Sequence, residues 1–184
     1  VNARRSDDPG RRLGWPEFEH RLAGVLGVMP VESYLILSAS DEAGGYYVQF
    51  AYGREAGLRA EAVSNAFLAA PRALTAEQEE RLGSLGWHRP GEDGDAGRNF
   101  YRMWPDPAPA EEVARLAVAA LRDVYGVASP AALVYRHRTF DDGRILDASA
   151  LGIPAEPRTE LAMPLATPAH PADVLRGRVE GALR

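Results

Sequence analysis

Apolar residues at three- and four-residue spacing open the patterned part of the chain. Trp15, Phe18, Leu22, Val25, Leu26 and Met29 share one face of a helix, with Pro16 suited to its first turn and Pro30 ending it. The period then changes. Residues 33–39, SYLILSA, are short and apolar like a strand, and a connection of Asp, Glu, Ala and Gly leads into YYVQFAYG. There Tyr46, Val48, Phe50 and Tyr52 alternate with Tyr47, Gln49 and Ala51, so a hairpin is expected. A turn at residues 54–57 precedes LRAEAVS, a third strand with poorer alternation.

Helical spacing returns after Pro71. Thr75 with Gln78 three residues later is a capping-box pattern, and Gly86 follows the last apolar residue as a stop, which predicts a helix over 75–85. Residues 87–89 and 99–104 read as two further strands joined by the polar, Gly-rich loop PGEDGDAG. Val113, Leu116, Ala117, Ala120, Leu121 and Val124 then form the clearest helical stripe, with Glu111 and Glu112 at its positive amino end and Gly126 closing it. Such a stripe needs a sheet to cover it. Residues 131–138, AALVYRHR, add a last edge strand, and a Pro-punctuated segment ends in the weakly amphipathic ADVLRGRVEGAL.

The fold class expected is α+β, with an antiparallel sheet of five to six strands and helices on one face. Residues 1–14, rich in Arg, Asp, Gly and Pro, read as a disordered leader, residues 15–138 as the domain, and 139–184 as a Pro-rich extension. No stretch approaches the ~20 apolar residues needed to cross a bilayer, so no membrane partner is expected. The first residues lack the apolar segment of a secretory signal, which makes the cytoplasm the expected compartment.

Charge and composition narrow the chemistry. The chain of 184 residues has a formal net charge of −5, so its average field repels phosphate backbones and nucleic acid is not an expected partner. All basic residues are Arg; the absence of Lys removes a phosphate-loop lysine, and the absence of Cys removes disulfides and thiolate chemistry. The Arg, Ala, Gly and Pro usage reads as the coding bias of a GC-rich bacterium.

The helix end, Trp-led strand, Gly/Asp loop and aromatic strand of LGSLGWHRPGEDGDAGRNFYRMW, with YYVQFAYG before it and VARLAVAALRDVYGVASPAALVY after it, resemble the type III secretion chaperones and YbjN-like proteins. The actinobacterial branch of that group is called TY-Chap. The resemblance covers residues 15–138 and implies a non-enzymatic, peptide- or protein-binding protein, a homodimer, that holds a client segment without altering it covalently. It implies no cofactor.

Aromatic strands supply the candidate site. Tyr47, Phe50, Tyr52, Trp87, Tyr101 and Trp104 are expected on neighbouring strands, where rigid rings make anchors for an extended peptide. Strand alternation also sends part of any such set into the core, because an α+β sheet buries one face. His20, His88, His137 and His170 lack ligand spacing, so no metal is expected. Asp93, Asp95 and Gly97 resemble a calcium loop only faintly, since Trp104 stands where its late glutamate belongs. Arg136, His137, Arg138, Asp141 and Asp142 form a dense polar cluster, which after an edge strand blocks edge-to-edge aggregation.

Two other classes remain. One is a regulatory module whose own tail docks on its sheet; Ile145, Leu146, Leu151, Ile153, Leu161, Met163 and Leu165 are more apolar residues than a solvated linker needs. The other is a small hydrolase or metal enzyme built around His88 and His137. An open aromatic groove favours a binding module, whereas a closed pocket of converging His and carboxylates favours an enzyme.

Overall fold

A computed structural model describes residues 13–39, 45–139 and 146–156. The leader up to residue 12, Asp141, Asp142, Ile145, His170, Leu161, Met163, Leu165 and the amphipathic run near the end lie outside the described residues.

Helix α1 spans Trp15–Gly27, with Gly14 as its N-cap and Pro16 in its first turn; Phe18, Leu22, Val25 and Leu26 face inward. Leu13, read with the leader, packs against the same core. Strands β1 (Ser33–Ala39), β2 (Tyr47–Gly53) and β3 (Gly57–Ala62) form an antiparallel meander. At the tight β2–β3 turn Gly57 has φ +73°, and a Cβ there would collide with the Trp104 carbonyl oxygen, so only glycine fits.

Helix α2 (Ala76–Leu85) has both halves of the capping box, Gln78 N–H donating to Thr75 Oγ1 at 3.2 Å and Thr75 N–H to Gln78 Oε1 at 3.0 Å. Gly86 ends it in the left-handed conformation at φ 102°. The strand expected over 87–89 is reduced to one bridge, in which His88 and Tyr101 exchange bonds of 2.8 and 3.0 Å. Pro90 has no N–H to donate and Gly91 turns the chain away at φ 80°, so pairing stops after a single residue.

Strand β4 (Phe100–Trp104) leads to α3 (Ala110–Ala119), whose stripe continues through a π turn at Ala120–Val124. Val113, Leu116, Ala117, Ala120, Leu121 and Val124 are all buried. Strand β5 (Leu133–Thr139) returns to pair antiparallel with β1, giving five strands in the order β4-β3-β2-β1-β5.

One core joins sheet and helices. Leu35, Leu37, Val48, Phe50, Leu58, Ala60, Phe100 and Leu133 point into it from alternating strand positions and meet Phe18, Leu22, Val113 and Leu121. Part of the expected extension belongs there too. Leu146, Ala148, Leu151 and Ile153 are buried in this cluster, and the 3₁₀ turn Ser149–Leu151 lies against α1. Among the described residues no helix is long and apolar enough to cross a membrane.

Candidate peptide-binding face

The register fixes which side chains occupy the face away from the core. Across the sheet, Met103 pairs with Arg59, Arg59 with Ala51, Ala51 with Tyr34 and Tyr34 with Arg138. The adjacent row runs Tyr101, Glu61, Gln49, Ile36 and Arg136, and a shorter one joins Tyr47, Ser38 and Val134. Ile36, Gln49 and Tyr101 are buried yet stand apart from the helix-packed core. Met103 is 46% exposed at the β4 end.

A polar network stiffens this face. Glu61 accepts from Gln49 Nε2 at 2.6 Å, from Arg59 Nε at 2.6 Å and from Asn99 Nδ2 at 3.1 Å. Asn99 also donates to the Tyr47 hydroxyl at 3.0 Å. The Arg59 guanidinium grips Asp95 through two bonds of 2.9 Å and lies 4.6 Å from the Tyr101 ring centroid. Burial opposes the Arg59 charge, but the bonds to Asp95 and Glu61 outweigh it and raise its pKa. Burial likewise pushes the Tyr47 hydroxyl up, with Asn99 working against it and Glu61 adding to it.

Both margins are furnished. On the β4 side the loop over 91–97 folds across, Tyr101 donating to the Glu92 carbonyl at 2.9 Å while His88 stacks on the Tyr101 ring at 5.2 Å. At the β5 side Arg136 Nε lies 3.1 Å from Glu156 Oε2, an ion pair whose angles fall outside hydrogen-bond geometry.

The six rings named from the sequence divide between the faces. By register Tyr47 and Tyr101 fall on the open face, Tyr47 at its end where it also packs half-buried against the core, and Tyr52 stands half-buried at the rim of the core side with its hydroxyl on Asp106. Phe50, Trp87 and Trp104 are buried under the helices at 0%, 3% and 6% exposure, so they serve the core and are withdrawn as surface anchors. The reason is the two-residue strand period, which sends Phe50 inward beside Val48 and Trp104 inward beside Phe100. Trp104 Nε1 donates to Glu112 Oε1 at 3.1 Å, locking that ring to α3. Tyr34, Ile36, Ala51 and Met103 complete the surface instead, and only their alternation with core positions marks them in the sequence.

A hydrolase built on His88 and His137 does not fit this arrangement. His88 bridges the outer edge of β4 and His137 lies on β5, at opposite ends of five strands spaced about 4.8 Å apart. Among the described residues no three His, Cys, Asp or Glu side chains gather as a metal site.

An antiparallel sheet covered by helices on one face, with rings, apolar side chains and paired charges on the other, defines an α+β protein of the secretion-chaperone type. Residues 8–139 match the family TY-Chap3, described as T3SS (YopN, CesT) and YbjN peptide-binding chaperone 3, and the chain belongs to that family. No curated protein and no solved structure matches the chain.

Proposed function

We propose that the protein is a non-enzymatic chaperone that holds an extended client segment on the open face of its sheet. The observation that carries this reading is the row structure of that face. Tyr34, Ala51 and Met103, on three strands, offer apolar contact above the buried Ile36, while Arg59, Glu61 and Asp95 satisfy one another beneath a client. Tyr47 and Tyr101 flank the path as rigid rings, whereas Tyr52, at the rim of the core side, lies off it. The family's description as peptide-binding chaperones supports the same reading.

A homodimer, a cytoplasmic location and the absence of any cofactor belong to this proposal; light scattering, cell fractionation and mass spectrometry of the native protein test them in turn. The face itself is tested with a permanently unfolded probe, reduced carboxymethylated α-lactalbumin. Replacing Ala51 and Met103 together by Asp should weaken its binding about tenfold, since two desolvated charges oppose the apolar contact. Val28→Asp, at a residue 72% exposed just after α1, should leave affinity unchanged. Weakening by Val28→Asp alone would place the client on the helices instead.

A further inference from the structure

We infer that a groove at one corner of the open face, between the turn after β3 and the loop 89–98, holds an acidic side chain of the client on Arg89 and Arg98. The inference rests on the peptide-binding reading above and names the client it selects: an apolar segment that carries an Asp or a Glu.

The groove has a volume of about 610 Å³ and is lined by Asn65 and Ala66 on the turn, Glu79 on α2, and Arg89, Ala96 and Arg98 on the loop. Its walls are fixed before any client arrives. Asn65 Nδ2 donates to the Leu74 carbonyl at 3.0 Å and Leu74 N–H to Asn65 Oδ1 at 2.6 Å, which staples the turn to the segment entering α2. Ser64 N–H donates to Asn99 Oδ1 at 3.2 Å, tying the same turn to the residue before β4. Asn99 also bonds Glu61 and the Tyr47 hydroxyl, and Asp95, which lines the groove, grips Arg59. The groove thus adjoins the open face at the end where Tyr47 stands.

Its charges are unevenly committed. Asp95 is neutralised by the two bonds from Arg59 and accepts a third from Gly97 N–H at 3.0 Å. Glu79 accepts only the amide of Asn65 at 3.0 Å. The Glu92 carboxylate lies outside the lining, turned to Arg89 N–H and 3.7 Å from His88 Nδ1. Among the described residues neither the Arg89 nor the Arg98 guanidinium has a carboxylate partner. With Arg59 and Asp95 taken as a pair, two positive charges face the single negative charge of Glu79, so one client carboxylate leaves the groove neutral.

Geometry suits that carboxylate. Arg98 lies over the Phe67 ring, 5.1 Å from its centroid, and a guanidinium held on a ring keeps its N–H fork free for a bidentate acceptor. Phe67 is 36% exposed, with Ala66, Pro90 and Ala96 exposed around it, so the apolar neighbours of the acidic residue meet apolar surface.

The test uses the full chain and two fluorescein-labelled, C-terminally amidated nonapeptides of Leu, Val and Ala that differ only in a central Glu or Gln. In anisotropy titrations the Glu peptide should bind about tenfold more tightly, the size of one charge-assisted bond in a partly exposed groove. Raising the salt from about 0.05 to 0.5 M should shrink that preference severalfold. Arg89→Gln with Arg98→Gln should abolish it while the Gln peptide binds as before. Equal affinity for the two peptides, no binding of either, or a preference that survives both Gln substitutions overturns the inference. If the substitutions change only the oligomeric state in light scattering, the groove takes a second copy and the inference fails. Equal peptide binding that Ala51→Asp with Met103→Asp still weakens overturns this inference alone; binding indifferent to both pairs of substitutions takes the peptide-binding reading with it.

Discussion

Replacing Glu61 by Ala tests whether the polar network stiffens the open face in solution. The carboxylate is the shared acceptor of Gln49, Arg59 and Asn99 at 2.6, 2.6 and 3.1 Å, and its side chain is 13% exposed. The three donors fare differently when it goes. Arg59 keeps its two bonds to Asp95 and Asn99 keeps the Tyr47 hydroxyl, but the amide of Gln49, a residue only 8% exposed, loses its acceptor. One stranded buried donor costs about 1 to 3 kcal/mol, and the lost charged bond to Arg59 adds to this at a value reduced by partial exposure. The expected loss is about 2 to 4 kcal/mol in urea unfolding, read as a lower midpoint at unchanged slope. A double-mutant cycle with Gln49→Ala should show a coupling of about 0.5 to 3 kcal/mol. A loss below about 0.5 kcal/mol, the level of an ordinary surface substitution, would refute the network.

Leu121→Ala removes a fully buried side chain from the π turn that closes α3 and should cost about 2 to 5 kcal/mol in the same assay; a loss of a few tenths would mean the helix does not cover the sheet. Burial holds the Tyr125 hydroxyl, which donates to the Val63 carbonyl at 2.9 Å, well above the usual phenol range. A raised folded-state pKa gives stability that is complete below about pH 10 and is lost as pH rises through the folded value. Tyr125→Phe should therefore be about 1 kcal/mol less stable at pH 8, yet lose stability less steeply above pH 10 in denaturant titrations; parallel curves would assign the alkaline loss to other groups.

Much of this fold is legible in the sequence because its helices carry local signals. Thr75, Gln78 and Gly86 bound α2 through bonds within a few residues, and the α3 stripe from Val113 to Val124 repeats on a helical period. The strand read at 87–89 misleads because Trp87 is apolar for the core, while pairing depends on Pro90 and Gly91 just beyond it. The site was harder to read. Aromatic residues are used on both faces of the sheet, so ring identity alone cannot separate Tyr101 from Trp104. Which face each strand turns outward follows from register, a long-range property that links Glu61 to Gln49 on one side and Tyr101 on the other. The buried Leu151 and Ile153 follow the same logic, since a Pro-punctuated stretch reads as a linker until its apolar residues find a core.

The most direct test of the central claim is an amide-exchange footprint of the full-length protein with saturating reduced carboxymethylated α-lactalbumin. The account predicts added protection in β1, β2 and β4 around Ile36, Ala51 and Met103, with exchange in α1 and α3 unaltered. Protection confined to α1 and α3, with the sheet unchanged, would contradict it.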